Sequence, residues 1–588
     1  MCSMSKPFIV LGINAYHPDA SVALLKNGQL FWAGEEERYS RLKHASGFPK
    51  LALQNCLRET NISASDIDLV AISRNPRANL FRKAIFTLIH KPSLGMLRDR
   101  FQVFRKSSHF KNDFIESLGI PAQALKAKFV HVEHHKAHAA SSFFLSGFDR
   151  AAFLSLDGMG DFSSAMWGIG EKNKLHVLDR VYFPHSAGLF YTAGTQFLGF
   201  LNFGDEYKVM GLAAYGKPVY LDFFKRMISF KKNGKFELDL SYFAHHKGQA
   251  KIRWEGGVPE QDILYSGKWF ELFGSPRRPQ EEIDERHQNL AASLQAALEE
   301  IYFHVLNHLY HKTKKKNLCL AGGVIFNSVA NGKIKTHTPF KNIYIQPAAG
   351  DAGTAVGAAA YSYYSNLNQP RTFVMNHTFF GSDACEVEIK RAVSERNLYS
   401  QILAEEELIQ KTAEALNRGQ VVGWFQGRME FGPRALGNRS LLADPRKRNM
   451  QQILNERIKH RENFRPFAPA VPEENVREYF EMNGSVSPFM LEVFQVKSNK
   501  KSLIPAVTHV DGSARVQTVS EKENPRFWKL LNEFGKMTGI PILLNTSFNE
   551  NEPIVCTPKE ALDCYLKTQT DVLVMGNYFL EKNENSAR

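Results

Sequence analysis

One segment decides the fold that we expect from this sequence: residues 151–170, AAFLSLDGMG DFSSAMWGIG. Ala151–Leu156 is a short apolar run typical of a buried strand, Asp157–Asp161 is a glycine-rich turn, and Ser163–Gly170 is apolar again. After a polar turn, Leu175–Tyr182 continues as a third strand. The segment therefore predicts a meander of three strands whose first turn carries carboxylates beside glycines.

The same plan occurs near the N-terminus, about 145 residues earlier. Strands are predicted at Phe8–Ile13, Ala20–Lys26 and Gln29–Gly34, with a polar turn after the first and the hairpin signal Asn27-Gly28 before the third. Two copies of the plan predict a duplicated actin-like (ASKHA) α/β fold, whose turns face bound phosphates. The alternative is two unrelated meanders.

A second segment, Glu133–His138, carries metal-ligating chemistry. Helix positions four apart share a face, so His134 and His138 would point the same way and suit one divalent metal. A metalloprotease helix needs Glu directly after the first His, but His135 occupies that position, so a peptidase is disfavoured. The two histidines could instead cap or line the helix. The carboxylate of Asp157, at a strand end, favours the metal.

Two strand-to-helix turns offer further polar groups. The predicted strand Asn317–Leu320 runs into Gly322 and Gly323 and then Asn327, and glycines at such a turn let backbone N–H groups approach a phosphate or ribose. A later turn of the same kind carries Asp351 among glycines. Asp351 could reach a metal or nucleotide, or it could be a helix N-cap.

The composition changes after Asn366, and we expect two domains, residues 1–370 and 371–588. The second contains a run rich in cations, which we interpret as a phosphate pocket because Arg and Lys bind phosphate oxygens. Its ten basic residues are Arg428, Arg434, Arg439, Arg446, Lys447, Arg448, Arg457, Lys459, Arg461 and Arg465. Nucleic acid is the rival ligand, but interleaved stacking aromatics are few. Arg515 and Asn545–Asn549 are expected at further strand ends, the latter after a strand Pro541–Leu544.

The chain as a whole has 588 residues and a net charge of +14, which favours anionic partners. The six cysteines are scattered, the N-terminus lacks an apolar leader, and no run approaches about 18 apolar residues. We therefore expect a cytoplasmic protein without a transmembrane segment. The basic stretch Asn75–Lys111 interleaves apolar residues, so it is either a surface for acidic lipid or an acidic acceptor, or a solvated helical face over a core.

The chain resembles the NodU/CmcH carbamoyltransferase family, which contains antibiotic and Nod-factor O-carbamoyltransferases, over nearly its whole length. The motifs that carry the resemblance are Tyr16–Ser21, Glu35–Arg38 with Lys43-His44, His134–His138, Leu156-Asp157-Gly158, Glu206–Gly216, Gly350–Gly357, Glu430–Arg439, Arg465–Pro469 and Asn545–Asn549. The resemblance implies an actin-like, metal-dependent N-terminal domain, similar to that of tRNA threonylcarbamoyl transferases, and a YrdC-like α/β C-terminal domain. It also implies ATP-dependent O-carbamoyl transfer. Carbamoyl phosphate and ATP would give carbamoyl adenylate in the C-terminal domain, and an acceptor hydroxyl would take the carbamoyl group in the N-terminal domain while AMP leaves.

The resemblance also implies roles for individual residues. The metal ligands would be His134, His138, Asp157 and Asp351, a set that suits Fe(II), which we favour, or Zn(II). The general base on the acceptor hydroxyl would be His17, although Pro18 separates it from Asp19, unlike members with His directly before Asp. The carbamoyl phosphate and ATP site would consist of Arg434, Lys459, Arg465, Arg515, Asn545 and Ser547, with Lys43 reaching it from the N-terminal domain. The adenylate would be held by Gly322, Gly323 and Asn327.

The expected ligands are carbamoyl phosphate, ATP with Mg²⁺ and a hydroxyl acceptor on a sugar or natural product, and no nucleic acid. Two rival functions stay open: a threonylcarbamoyl-type transferase acting on tRNA, and a non-catalytic actin-like nucleotide-binding scaffold. The sequence does not decide the oligomeric state, and a homodimer is one alternative.

Overall fold

The computed structural model describes residues 6–90, 92, 93, 95, 109–247, 252, 253, 257–482 and 486–582. The chain divides into two compact units, Met1–Met375 and Asn376–Arg588. The strands of the first unit are β1 (Ile9–Asn14), β2 (Ser21–Lys26), β3 (Gln29–Glu35), β4 (Leu69–Ile72), β5 (Lys128–His131), β6 (Arg150–Gly160), β7 (Ser163–Glu171), β8 (Lys174–Tyr182), β9 (Ile228–Phe230), β10 (Phe236–Leu238), β11 (Ile252–Arg253), β12 (Glu260–Gln261), β13 (Asn317–Ala321) and β14 (Asn342–Ile345).

The first unit is built on two five-stranded sheets with the same plan. One has the order β3-β2-β1-β4-β5 and the other β8-β7-β6-β13-β14. In each, the first three strands form an antiparallel meander and the last two run parallel to the meander's first strand. The predicted duplication is therefore confirmed, and the alternative of two unrelated meanders is wrong.

One expected turn differs from the structure. Asp157 and Gly160 were expected in a turn, but β6 continues through both, with irregular pairing to β7 between Leu156 and Gly160. The tight turn is confined to Asp161 and Phe162, whose φ angles are +47° and +72°. Asp157 therefore projects from a distorted strand end, where the pairing leaves room for its side chain.

The α-helices of the first unit are Glu36–Ser40, Lys50–Thr60, Leu80–His90, Phe110–Leu118, His134–Phe143, Ala187–Phe197, Glu206–Leu212, Leu221–Arg226, Lys268–Phe273, Glu285–Thr313, Ser328–Gly332, Ile334–His337 and Gly353–Ala360. The last of these is followed directly by Tyr361–Asn366, where the helix widens into a π-helix. Among the described residues, no helix has the length and apolarity needed to cross a bilayer.

Small residues bring the helix Gly353–Ala360 close to its neighbours. A Cβ atom on Gly357 would lie 1.8 Å from the backbone oxygen of Ala137, and one on Gly12 would lie 1.9 Å from that of Ala355. The helix therefore packs backbone to backbone against both β1 and the helix His134–Phe143. This close packing places the turn before Gly353 beside the two histidines.

The second unit contains an eight-stranded mixed sheet with the order β15-β24-β23-β16-β17-β22-β18-β21. Its strands are β15 (Gln401–Ile402), β16 (Val422–Phe425), β17 (Arg439–Ala443), β18 (Ala468–Pro472), β21 (Gln517–Val519), β22 (Leu543–Ser547), β23 (Val572–Met575) and β24 (Tyr578–Glu581), with β19 (Val493–Gln495) and β20 (Ser513–Arg515) paired separately. The expected strand Pro541–Leu544 is shifted: β22 includes Asn545 and Ser547, which therefore lie on the strand and not after it.

Helices cover both faces of this sheet, and each face has its own hydrophobic core. The helices are Glu386–Glu395, Glu405–Arg418, Met450–Leu454, Val476–Tyr479, Pro525–Thr538 and Pro558–Lys567, and the π-helix Asn455–Lys459 follows the third. The unit is thus an α/β domain of three layers. A YrdC-like fold for it stays a prediction.

Candidate functional site

The helix His134–Phe143 begins at the predicted metal-binding pair. Glu133 is its N-cap, with an extended backbone and a side chain that accepts a hydrogen bond of 3.2 Å from the Lys136 N–H. His134 and His138 lie one turn apart and fully buried, and their Nε2 atoms are 3.0 Å apart. Because Glu133 caps the helix, the capping alternative for the histidines is wrong, and both imidazoles converge on one point.

Two aspartates face the same point. Asp157 Oδ1 accepts a hydrogen bond of 2.7 Å from the Gly323 N–H, and its Oδ2 lies 3.3 Å from Nε2 of His134 and 3.8 Å from that of His138. Asp351 Oδ1 lies 3.5 Å and 3.6 Å from the same two nitrogens. In the described part of the chain, no side chain caps the helix that follows Asp351, so its N-cap alternative is wrong.

The four side chains create a negative pocket suited to a cation. Burial alone would lower the pKa of His134, but Asp157, Asp351 and Asp161 raise it to about 9. Burial alone would raise the pKa of both Asp157 and Asp351, yet both pKa values lie below their usual range because His134 and His138 favour the ionised carboxylates. Both carboxylates are therefore charged at neutral pH.

The donor set fits a divalent transition metal. All four donor atoms lie within 4.8 Å of one another. The separations given above range from 3.0 to 3.8 Å, and a tetrahedral site with metal–ligand bonds of about 2.1 Å needs about 3.4 Å. The Nδ1 atoms of His134 and His138 are buried without a hydrogen-bond partner among the described residues, so the polar neighbours of both rings lie on the side of the carboxylates. Two imidazoles with two carboxylates suit Fe(II) or Zn(II).

His17 stands beside this centre. Its Nδ1 lies 3.4 Å from Asp351 Oδ2, and its ring stacks on that of His134 with centroids 5.1 Å apart. The loop turns sharply, because Tyr16 and Asp19 adopt positive φ angles of 59° and 53°. Burial is the main cause that lowers the pKa of His17, which is therefore neutral at pH 7. Pro18 does not displace the imidazole of His17 from the four candidate ligands.

Arg74 belongs to the same group, and the sequence reasoning missed it. Its Nη1 donates to the Tyr16 carbonyl oxygen at 3.3 Å. Burial lowers the pKa of Arg74, whereas Asp161 and Asp351 raise it, so the guanidinium lies in the field of both carboxylates. The sequence carried no direct signal for Arg74, because its place depends on the parallel pairing of β1 and β4, which brings the residues that follow them, His17 and Arg74, to one sheet edge.

Lys43, the predicted link to the second domain, is exposed. The adjacent His44 donates its backbone N–H to Glu37 at 2.9 Å, and its Nδ1 lies 2.8 Å from Asp19 Oδ1. Burial would lower the pKa of His44, but Asp19 and Glu37 raise it to about 9. The loop that carries Lys43 is thus tied to the loop of His17 through Asp19.

The predicted adenylate residues lie around Asp157. Gly322 has a φ of +106°, and a Cβ there would lie 2.2 Å from the Leu156 oxygen, so the turn requires glycine. Gly323 donates its N–H to Asp157, as described above. The amide of Asn327 caps the next helix and pairs with Gln295, with hydrogen bonds of 2.8 Å and 3.0 Å. Asn327 therefore positions the helix in this structure.

In the second unit, three guanidinium groups lie near Arg515. Burial holds the pKa of Arg515 well below its usual range, and Arg434, Arg461 and Arg465 lower it further. Such mutual repulsion is relieved when an anion binds among the guanidinium groups. The four arginines are therefore placed as a phosphate pocket would need.

Lys459 is buried next to this group and supports β22. Its Nζ donates to the Ser547 oxygen at 2.5 Å and to the backbone and side-chain oxygens of Asn549 at 2.7 Å and 2.6 Å. Burial, with Arg461 nearby, holds its pKa well below the usual value. On the same strand, Asn545 donates to Gln517 at 2.7 Å, and its Oδ1 is buried without a partner among the described residues.

Several of the ten predicted cations serve the fold instead. Their partners are backbone oxygens for Arg428, Arg439 and Lys447, and the Asp444 carboxylate for Arg446. The interpretation of the whole run as a phosphate pocket was therefore too broad. The sequence could not separate the two sets, because a guanidinium that binds a carbonyl and one that binds a phosphate look alike in a string of residues.

Comparison with known proteins identifies the family of both halves. Residues 9–360 match the family described as carbamoyltransferase N-terminus, and residues 413–582 match the carbamoyltransferase C-terminus. The nodulation protein NolNO of Sinorhizobium fredii is 37% identical over 583 residues, which cover 97% of this chain and 80% of that protein. The nodulation protein NolO of Bradyrhizobium diazoefficiens is 40% identical over 470 residues, covering 77% of this chain and 80% of that protein.

Among solved structures, HypF of T. kodakarensis is similar with a TM-score of 0.29 and 13% identity, over 63% of this chain and 50% of that one. The family assignment rests on the sequence matches, which span both units and the motifs around the metal-binding and arginine-rich groups. The chain belongs to the carbamoyltransferase family and is a transferase.

Proposed function

We propose that this protein is an ATP-dependent O-carbamoyltransferase that works through carbamoyl adenylate. The observation that carries the proposal is the convergence of His134, His138, Asp157 and Asp351 beside the neutral imidazole of His17, in a chain that belongs to the carbamoyltransferase family. A hydroxyl acceptor needs a base to take its proton, and a carbamoyl adenylate needs its phosphate and carbonyl oxygens held. This group offers both.

Activation is assigned to the second unit. Water cleaves carbamoyl phosphate to carbamate and orthophosphate, and a carbamate oxygen then attacks the α-phosphorus of ATP, so that pyrophosphate leaves and carbamoyl adenylate forms. Arg434, Arg465 and Arg515 bind the phosphate oxygens, with Mg²⁺ on ATP as counter-ion. Lys459 holds Ser547 and its neighbours in place through the three hydrogen bonds described above. The side-chain amide of Asn545 is the remaining polar group of this site.

Transfer is assigned to the first unit. His134, His138, Asp157 and Asp351 would hold Fe(II) or Zn(II), which supplies Lewis-acid polarisation of a bound oxygen. The acceptor oxygen bonds to the carbamoyl carbon, its proton passes to His17, and the bond from that carbon to the adenylate oxygen breaks so that AMP leaves. Gly322, Gly323 and Asn327 form the turn that receives the adenylate.

The experiment is a partial-reaction assay. Purified protein receives carbamoyl phosphate, Mg²⁺ and ATP without an acceptor, and pyrophosphate, orthophosphate and carbamoyl adenylate are measured. We expect product from the wild type and from His134→Ala, and at least about a tenfold loss in Arg465→Ala, which removes a charged phosphate donor. Lys447→Ala is the matched control, since the one hydrogen bond of this lysine within the described ranges goes to the Arg418 carbonyl oxygen, at 2.9 Å.

Two results would contradict the proposal. A wild type that forms neither pyrophosphate nor adenylate would exclude the two-step mechanism and favour the non-catalytic scaffold. Carbamoylation or threonylcarbamoylation of added tRNA, with no transfer to sugar hydroxyls, would favour the tRNA-directed transferase.

A further inference from the structure

The helix Leu80–His90 carries its apolar side chains on the face that points to solvent. The exposed fractions are 58% for Leu80, 75% for Phe81, 76% for Leu88 and 69% for Ile89. Counted from Leu80 at about 100° per residue, Phe81 lies at about 100°, Leu88 at about 80° and Ile89 at about 180°. These four side chains therefore share one side of the helix, and we call them the stripe. In an ordinary surface helix this stripe would face the core.

The helix is nonetheless anchored to the protein by its opposite side. Phe86 is buried, and its ring lies 5.6 Å from that of Phe162 and 5.1 Å from that of Phe183, measured between centroids. The helix therefore contacts the core through Phe86, and this contact does not use the exposed stripe. Phe86 fixes the orientation of the helix. The stripe therefore faces solvent and is available to another apolar surface.

Cations flank the stripe. Arg77 is exposed just before the helix, and Arg82 lies at one edge of the stripe, with its guanidinium 4.9 Å from the ring centroid of Tyr182. The sequence contains no Asp or Glu between Arg74 and Arg98. An apolar stripe with cations at its edges suits a helix that lies in the interface of an anionic bilayer.

The stripe is tied to the candidate metal centre. Asp161 Oδ2 accepts a hydrogen bond of 2.7 Å from the Asn75 N–H and one of 2.9 Å from the His134 N–H. The Asn79 side chain donates to the Asp161 carbonyl oxygen at 2.8 Å. One short turn therefore joins the beginning of the exposed helix to the beginning of the metal-binding helix.

We propose that the helix Leu80–His90 binds the surface of an anionic lipid bilayer through Leu80, Phe81, Leu88 and Ile89, with Arg77 and Arg82 at the headgroups. This binding to lipid does not depend on the proposed function.

The test is co-sedimentation of the full-length protein with vesicles. We expect binding to vesicles of phosphatidylglycerol and phosphatidylcholine, weak binding to phosphatidylcholine alone, and a decrease as salt rises. The double variant Phe81→Ser, Leu88→Ser should bind at least about tenfold more weakly, because two large apolar side chains no longer enter the bilayer. The matched control is Val387→Ser, Ile402→Ser, which changes side chains of 71% and 61% exposure in the second unit.

A charge variant, Arg77→Gln, separates the two contributions. It should weaken binding to the anionic vesicles and leave the weak binding to neutral vesicles unchanged. Circular dichroism and pyrophosphate formation, measured on the same samples, check that every variant is folded. If the wild type forms no pyrophosphate, the proposed function fails while the vesicle result still stands.

Three outcomes would overturn the proposal. The wild type does not sediment with anionic vesicles, or the stripe variant binds as tightly as the control variant. The third outcome is a dimer in sedimentation velocity that the stripe variant no longer forms. This face would then be a contact between two copies of the chain.

Discussion

Arg74 places a positive charge beside the proposed base, in the field of Asp161 and Asp351. The residue is well placed to hold an oxyanion of the reacting adenylate, so its loss should affect transfer and spare activation. We expect Arg74→Gln to lower carbamoylation of an acceptor by at least about tenfold, as the loss of a charged donor does, without a change in pyrophosphate formation. AMP release and pyrophosphate are measured in parallel, and Arg58→Gln, which changes a side chain of 74% exposure, is the control. Equal losses in both reactions would assign Arg74 a purely structural role.

The four-ligand centre predicts a metal content that depends on each carboxylate and imidazole. We expect the wild type to hold about one transition-metal ion per chain, and His138→Asn and Asp157→Asn to lose most of it, because three donors bind more weakly than four. The measurement is elemental analysis by mass spectrometry after dialysis. His131→Gln changes an exposed histidine on β5 and should keep the metal. Unchanged metal in the two ligand variants would exclude this site.

Lys459 predicts a joint loss of stability and activation. Replacing it by Met leaves the carbonyl oxygens of Ser547 and Asn549 without their donor, and an unsatisfied buried acceptor costs about 1–3 kcal/mol. We expect the free energy of unfolding of Lys459→Met to fall by that amount and pyrophosphate formation to fall with it. Urea denaturation and the partial-reaction assay are compared with Lys447→Met, and normal activity at reduced stability would remove Lys459 from the proposed site.

Among single residues, the sequence predicted those whose spacing or position along the chain indicates a metal-ligating side chain. The i,i+4 spacing gave His134 and His138, and the turns after apolar runs gave Asp157 and Asp351. It could not assign His135, whose Nδ1 lies 2.8 Å from Ser155 Oγ and whose pKa burial lowers to about 3. A buried neutral histidine and a metal-binding histidine look the same in a sequence. Only the contacts that each makes in the folded protein distinguish them.

At the scale of elements, the helix Gly353–Ala360 depends on glycine where it crosses the metal-binding helix. A methyl group on Gly357 would meet the Ala137 oxygen at 1.8 Å, and such overpacking costs about 1–3 kcal/mol. We therefore expect Gly357→Ala to lower the free energy of unfolding and the metal content together. Gly267→Ala, where nothing lies within 4 Å of the added atom, should leave both unchanged. A neutral Gly357→Ala would mean that the two helices separate freely.

Elements with local signals were predicted best. The meander strands follow from their short apolar runs and the turn residues between them. The bounds of β6 and β22 were wrong because each strand continues through polar residues that are held by neighbouring strands. The order of the eight-stranded sheet was not predicted at all, since pairings between distant segments leave no periodic trace in the chain.

At the scale of the whole molecule, each unit has its own hydrophobic core, so ligands should stabilise them separately. In calorimetry of the intact protein we expect two transitions. A chelator should lower one of them, and carbamoyl phosphate with a non-hydrolysable ATP analogue should raise the other. His138→Asn should remove the response to the chelator only. A single transition that moves with both treatments would mean that the two units unfold as one.

The duplication was the part of the global fold that the sequence could predict, because two similar strand plans recur along the chain. In each of the two five-stranded sheets of the first unit, the strand order then follows from the short connections within the meander and from the crossover to β4 or β13. The second unit offered no repeat, and three of the pairings in its sheet, β15 with β24, β16 with β23 and β17 with β22, join segments more than a hundred residues apart.

Asp351 behaves as a spacer with two ends. One oxygen faces the imidazoles of His134 and His138, and the other faces His17. The distance between the imidazole of His17 and those of His134 and His138 is then set by the width of a single carboxylate and not by the conformations of two loops. A glutamate at position 351 would keep the charge and the same three histidine partners. Its longer side chain would nonetheless change the position of His17 relative to His134 and His138.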